Sequence, residues 1–407
     1  MTTNHLPTLN FPGDKSIAHR LVLLSLLTDK DIKIANLPTS KDVLTSLNIV
    51  KQLGVKVSFK KENGGEITFL SPLKNKSFEN EITLDCGNSG TTARLLCGIL
   101  CNLKGKFKLV GDYSLSKRPM ERVVRPLADL MGVKIKSTDG YLPIYIESAG
   151  KTKAIEYINE TGSAQVKSAI LFAGLASDGS TKVIEKIPSR DHTERLLKFL
   201  FLHKGKELSF YIPGDVSSSA YFAVLAAISK KKILLKNLLL NPLRTGYLRV
   251  LKRMGVIVEE EIIENLYEPI GNLLIEGAYL KATDISAEEI PSLIDELPIL
   301  AIAMAFAEGK SVVSGAKELR VKESDRISCL ISQLMKVGVN CEEKADGYEI
   351  TGPNSMVAAE LDSFNDHRLA MSFAILEYCS NVKMNIKGKE SVNISFPEFY
   401  EYFKYIC

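Results

Sequence analysis

The chain has 407 residues, 45% of them apolar and 25% charged, which is more than one ordinary hydrophobic core holds and predicts two or three globular domains. Its formal charge of +4, without a basic stripe interleaved with aromatics, argues against nucleic-acid binding, and no apolar stretch is long enough to span a bilayer. Seven cysteines with no C-x-x-C pair and five scattered histidines argue against a disulfide framework and a metal centre, and the start "MTTNHLPTLN" lacks a signal-like pattern, so a cytoplasmic location is expected.

In chain order, a loop rich in Gly, Ser, Thr, Asn or Asp opens an apolar helix six times. The six stretches are "GDKSIAHRLVLLSLL" from Gly13, "GNSGTTARLLCGIL" from Gly87, "TGSAQVKSAILFAGL" from Thr161, "GDVSSSAYFAVLAAI" from Gly214, "IDELPILAIAMAFA" from Ile294 and "NDHRLAMSFAIL" from Asn365. Each is followed by a polar turn and a strand, and four later helices end in a Gly-Val pair ("KQLGVKVSF", "DLMGVKIKS", "KRMGVIVEE", "MKVGVNCEE") that suits a left-handed helix end feeding a β-branched run. The unit recurs about every seventy residues, with one shorter interval. "PGDKSIAHR" at Pro12 and "PGDVSSSAY" at Pro213 open the first and fourth units. They divide six repeats into three and three, an α/β organisation of two similar domains: 13–213, and 1–12 with 214–407. Such a pair could close over a substrate like a hinge. The helices are apolar nearly all round, so burial inside each domain is expected, with free N–H groups and positive dipole ends gathered at a cleft.

The loops at those helix starts carry the chemistry. They hold Lys15, Ser16 and Arg20, then Asn88, Ser89, Gly90, Thr91 and Arg94, then Arg118, Arg122 and Arg125. Later come Arg320, Lys322, Glu323 and Arg326 in "LRVKESDRI", and Asp366, His367 and Arg368 in "NDHR". Arginine forks and lysine charges around helix N-termini suit a small, multiply anionic ligand, or two. On chemistry alone Arg20, Arg94, Arg122 and Arg125 suit structural ion pairs better than ligand contacts, His367 suits a cap, and Cys97 and Cys101 the core. Asp14 and Asp215 read as helix caps. Neither G-x-x-x-x-G-K-[ST] nor G-x-G-x-x-G is present, so nucleotide chemistry has no support. Asp295 interrupts an apolar stretch and Glu323 lies among cations, where an acid or base is tuned; both are candidates for proton transfer.

Taken together, "GNSGTTARLL", "SKRPMERVVRPL", "SAQVKSA", "RVKESDR" and "NDHR", in this order, closely resemble the 3-phosphoshikimate 1-carboxyvinyltransferase (5-enolpyruvylshikimate-3-phosphate synthase) family, with a match from "PGDKSIAHR" to "ISFPEFYEYF". The resemblance implies the enolpyruvyl transferase fold, an inside-out α/β barrel: two domains, each of three βαβαββ repeats around buried parallel helices, with the N-terminal strand packed into the C-terminal domain. It implies transfer of the enolpyruvyl group of phosphoenolpyruvate to the 5-hydroxyl of shikimate 3-phosphate, with release of phosphate, by addition and elimination and without a cofactor or metal. By position in matching motifs, Lys15 meets both substrates. Ser16, Arg20, Ser163, Ala164, Gln165, Ser189 and Lys322 hold shikimate 3-phosphate; Gly90, Arg118, Gln165, Arg326 and Arg368 hold phosphoenolpyruvate. Asp295, which also contacts shikimate 3-phosphate, takes the 5-hydroxyl proton, Glu323 handles the proton on the methylene carbon, and Lys15 joins them as a catalytic residue. The partners implied are these two small molecules, with no nucleic acid or membrane, and the family is mostly monomeric. It is also the target of glyphosate, which competes with phosphoenolpyruvate; Gly90 is compatible with sensitivity, and Leu95 lies on the same helix.

Three positions depart from the family pattern. Ile394 in "NISFP" stands where many members have a lysine that contacts phosphoenolpyruvate, with Lys167 or Lys389 as stand-ins; Glu318 replaces an asparagine contact, and His192 a tyrosine. The related UDP-N-acetylglucosamine 1-carboxyvinyltransferase family is disfavoured because Tyr113 occupies the position of its reactive cysteine. A non-catalytic polyanion binder is disfavoured by the modest net charge and the placement of Asp295 and Glu323.

Overall fold

A computed structural model describes residues 6–62, 65–160 and 162–406; Thr161, where the third loop was read to begin, lies outside the described residues. The chain forms two compact units, Gly13–Ile212 and Met1–Pro12 with Pro213–Cys407. Each carries three sheets and a bundle of buried helices.

In the unit Gly13–Ile212, the first sheet runs Glu207–Tyr211, Asp31–Ala35, Gly65–Leu70, Val57–Glu62, and the second Ile82–Asp85, Lys104–Val110, Tyr141–Ala149, Lys134–Thr138. In both, one parallel pair is followed by two antiparallel ones. The third sheet is only the parallel pair Glu156–Ile158 and Lys182–Ile184. The other unit repeats the scheme. Thr8–Asn10 pairs in parallel with Lys232–Leu239, which continues antiparallel into Pro269–Glu276 and Ile257–Asn265. Gly309–Val313, Gly347–Gly352 and Asn340–Lys344 form the next sheet, widened by parallel bridges from Lys281 and Ile285, and Glu360–Asp362 pairs with Asn385–Lys387. The third repeat of each unit is therefore shorter in strands than a full βαβαββ unit.

Local sequence explains the frame. Gly54, Gly132, Gly255 and Gly338, the glycines of the four Gly-Val pairs, all have positive φ (108°, 72°, 99° and 85°), the left-handed geometry that reverses a helix into a strand without Cβ strain. Asp14 caps the helix Lys15–Leu24 by accepting from the Ile17 amide at 3.0 Å, and Asp215 caps Val216–Ser229 through the Ser218 amide at 2.9 Å. The helices Lys15–Leu24, Gly90–Ile99 and Ala164–Gly174 pack together in one unit, and Val216–Ser229, Leu297–Phe306 and His367–Ser380 in the other. Gly98 permits the tightest approach, because a Cβ there would lie 1.9 Å from the Ala169 carbonyl oxygen. Cys97 and Cys101 lie in this core, where burial pushes the Cys97 thiol up to about 12. Among the described residues no helix is long and apolar enough to cross a membrane.

The fifth helix begins later than its apolar pattern suggests. Ile294–Glu296 is a 3-10 turn, and the α-helix runs Leu297–Phe306 with Pro298 in its first turn, where a missing N–H costs nothing. Asp295 and Glu296 therefore lie ahead of the helix, on a turn.

Candidate active site

In the unit Gly13–Ile212 most candidate residues lie at three helix starts, with Arg118 and Ser189 on loops. Lys15 opens its helix and pairs with Asp42 at 2.9 Å. Arg20, one turn on and 3% exposed, donates from Nε to Thr193 Oγ1, from Nη1 to the Ser16 carbonyl and from Nη2 to Ser168 Oγ, each at 2.8 Å. Gly90 is the first residue of its helix, capped by Ser89, whose Oγ accepts from the Thr92 amide. A Cβ at Gly90 would lie 2.9 Å from Arg94 Nη1 and 3.4 Å from Arg118 Nη1, so the glycine lets two guanidinium groups close on a helix N-terminus. Arg118 donates to Asn88 Oδ1 at 2.8 Å, and Arg94 to Gln165 Oε1 at 2.7 Å. Gln165 in turn donates to Thr91 Oγ1 at 3.0 Å, which ties the second and third helix starts together. Ser163 caps the third helix, which begins at Ala164.

Ser189 is held by Glu185, which accepts from its hydroxyl at 2.5 Å and its amide at 3.0 Å. Burial would raise the Glu185 carboxyl, but Lys167 and Ser189 hold it below the usual carboxylate range. Lys167, weighed above as a stand-in for a missing lysine, is 3% exposed and bonded to Glu185 at 2.8 Å and Glu194 at 2.7 Å, so it is a structural ion pair. Beneath Lys15, His19 Nδ1 meets Ser46 Oγ at 2.8 Å, and Ser46 meets Thr92 Oγ1 at 2.8 Å. Burial pushes the His19 imidazole down to about 3, so it is neutral.

The other unit gathers carboxylates and guanidinium groups. Arg326, 1% exposed, bonds Asp366 through Nε at 2.8 Å and Glu323 Oε2 through Nη2 at 2.6 Å, while its Nη1 lies 3.7 Å from Asp295 Oδ1. Arg368 Nη1 donates to the Asp295 carbonyl oxygen at 2.8 Å, and its Nη2 lies 3.8 Å from Asp295 Oδ2. Burial opposes charge on both arginines, yet Asp366 and Glu323 hold Arg326, and Asp295 holds Arg368, above the ordinary range. Burial lowers the Lys322 ammonium against the pull of Asp295, and Arg326 adds to the lowering. Asp366 caps its helix by accepting from the Arg368 amide at 2.9 Å, and Arg326 keeps it ionised despite burial.

Other sequence candidates are structural. Arg125 makes an exposed pair with Asp129, and Arg320 bonds Asp325 and Glu343 at 2.8 Å each. Ile394 ends the short helical segment Lys389–Ile394 and is half-buried, and Lys389 is exposed. Sequence reading missed Asp42, Glu185, Glu296 and the His19–Ser46–Thr92 chain. Only Glu296 had a signal, its position beside Asp295.

One half thus presents cations and helix N-termini suited to phosphate and carboxylate, and the other two carboxylates sharing one arginine, suited to proton transfer. The description of a family model, "EPSP synthase (3-phosphoshikimate 1-carboxyvinyltransferase)", matches residues 5–403. The chain is 40% identical to the 3-phosphoshikimate 1-carboxyvinyltransferase of Petrotoga mobilis over 100% of this chain and 98% of that one. It is 42% identical to that of Aquifex aeolicus over 97% and 95%. A solved structure of EPSP synthase from Acinetobacter baumannii superposes with a TM-score of 0.80 at 36% identity, covering 98% of this chain and 96% of that one. The chain therefore belongs to the EPSP synthase family and is an enolpyruvyl transferase of the shikimate pathway, on the way to chorismate and the aromatic amino acids.

Proposed function

We propose that this chain performs the transfer by addition and elimination, with Asp295 and Glu323 as its proton-transfer groups. Glu323 delivers a proton to C3 of phosphoenolpyruvate while the 5-hydroxyl oxygen of shikimate 3-phosphate bonds to C2 and gives its proton to Asp295. The tetrahedral adduct then returns a proton from the new methyl group to the Glu323 carboxylate and expels phosphate, which takes up the Asp295 proton, and the double bond is restored. Lys15, Gly90, Arg118, Gln165, Arg326 and Arg368 hold phosphoenolpyruvate. Lys15, Ser16, Arg20, Ser163, Ala164, Gln165, Ser189 and Lys322 hold shikimate 3-phosphate. The enzyme acts as a monomer in the cytoplasm.

The observation that supports this most is the sharing of Arg326 by the two carboxylates, at 2.6 Å to Glu323 and 3.7 Å to Asp295. One fixed cation orients a donor and an acceptor together, as a concerted addition requires. Ser189 held by Glu185, and Gln165 held between Arg94 and Thr91, are preset rather than loose, which suits ligand contacts. The test is phosphate release by the purified protein with both substrates and with each alone. Release only with both, abolished in Asp295→Asn, is expected. Release from phosphoenolpyruvate alone, or full turnover in Asp295→Asn, would overturn the reading.

A further inference from the structure

The two PGD stretches, aligned residue for residue, place Ser217 opposite Ser16 and Tyr221 opposite Arg20. In the first, Ser16 is assigned to a substrate anion. In the second, the Ser217 hydroxyl donates to a carboxylate of the protein itself, Glu296 Oε1, and accepts from Arg244 Nη2 at 2.9 Å. Tyr221, in place of an arginine, is fully buried, and its hydroxyl has no hydrogen-bond partner among the described residues. The fourth repeat thus keeps the serine and the Asp cap of the first repeat, but an internal anion occupies the serine.

Glu296 differs sharply from its neighbour. Its side chain is 1% exposed, against 15% for Asp295, and its Oε1 lies 3.9 Å from Arg368 Nη1. The same Nη1 donates to the Asp295 carbonyl oxygen at 2.8 Å. Arg368 is therefore gripped along one edge by consecutive residues of a single turn. The carboxylate that grips it is itself fixed by Ser217, and Ser217 by Arg244. Neither Glu296, Ser217 nor Arg244 belongs to the substrate contacts assigned above.

We propose that Glu296 is a positioning residue for Arg368: a buried carboxylate, anchored through Ser217 and Arg244, that fixes this guanidinium for phosphoenolpyruvate. The inference rests on the assignment of Arg368 to phosphoenolpyruvate. A free arginine side chain loses rotamer freedom when it clamps an anion, whereas one already held by a buried carboxylate has lost it beforehand. Glu296 thereby acts on phosphoenolpyruvate affinity without touching either substrate.

The experiment compares Glu296→Gln, Arg368→Lys and the double variant in steady-state kinetics, with the KM for each substrate measured separately. Glutamine keeps the shape and an acceptor for Ser217 but removes the charge. Glu296→Gln is expected to raise the KM for phosphoenolpyruvate about tenfold or more and that for shikimate 3-phosphate less than twofold. The double variant is expected to be no weaker toward phosphoenolpyruvate than Arg368→Lys, because the two residues act as one. Equal rises in both KM values with a lowered Tm, or losses that multiply in the double variant, would overturn the proposal. If Arg368→Lys itself leaves the phosphoenolpyruvate KM unchanged, the underlying assignment fails and takes the proposal with it. Should Glu296→Gln not fold, Ser217→Ala retains the charge and removes its anchor; a severalfold rise confined to phosphoenolpyruvate supports the proposal, and an unchanged KM overturns it.

Discussion

The two units share a plan of sheets and buried helices but handle charge in opposite ways. Residues 13–212 carry 31 Lys and Arg against 21 Asp and Glu, whereas the rest of the chain carries 21 against 27. The hydrogen bonds and ion pairs of five buried arginines show the same contrast. Arg20, Arg94 and Arg118 donate to uncharged oxygens of Ser168, Thr193, Gln165 and Asn88, and Arg326 and Arg368 face Asp295, Glu296, Glu323 and Asp366. A guanidinium oriented by neutral acceptors keeps its field for an incoming anion. One set among carboxylates is largely compensated, and it also orients acids and bases. On the proposed function, arginines of both units bind anions, and Arg326 in addition orients the two carboxylates.

The sharpest way to break this contrast is to neutralise a carboxylate of the acidic unit. Glu323→Gln is expected to lower kcat by a factor on the order of 10²–10⁴ with little change in the KM for shikimate 3-phosphate. A change confined to KM would put Glu323 among the binding groups. Next is stability. Arg326→Met leaves Asp366 buried without its ion-pair partner, at 0% side-chain exposure, and is expected to cost about 3–5 kcal/mol by urea denaturation. Arg20→Met strands the Thr193 and Ser168 hydroxyls and the Ser16 carbonyl and is expected to cost about 1–3 kcal/mol. Equal losses would remove the contrast in arginine environments.

Two smaller effects sharpen the picture of the basic unit. Gly90→Ala pushes against Arg94 Nη1 at 2.9 Å, and is expected to raise the KM for phosphoenolpyruvate about tenfold, ~1.4 kcal/mol, while sparing shikimate 3-phosphate. The fully buried His19 titrates near 3 when folded, well below its unfolded value of 6.5. Between these values the unfolded chain binds a proton that the folded chain refuses, so stability is present above the unfolded value and falls as pH drops, by at most about 1.4 kcal/mol per pH unit. His19→Asn is expected to flatten this part of the stability-pH curve, and an unchanged slope would assign the acid sensitivity to other groups.

Features set within a few residues were legible in advance. The four glycines of the Gly-Val pairs have the positive φ that their place after a helix demands, and Asp14 and Asp215 cap the helices that follow them. The loops carrying Lys15, Gly90, Asp295, Glu323 and Arg368 stood out because polar and charged residues cluster at the starts of apolar helices. The exact start of the fifth helix did not, since Ile294–Glu296 shares its apolar pattern while Pro298 delays the α-helical ladder. Lys167, weighed as a stand-in for the lysine missing at Ile394, could not be judged from sequence, because its partners Glu185 and Glu194 lie 18 and 27 residues on.

By itself, then, the sequence determined the six repeats, their caps and turns, and the motifs of the family, because each depends on backbone preferences and spacing within one segment. Only the tertiary structure decided which charges meet. Arg20 finds Thr193 across 173 residues, Arg326 finds Asp366 across 40, and Ser217 finds Glu296 across 79. Those pairings follow from how the buried helices pack, and packing brings together loops whose separation along the chain carries no mark of it.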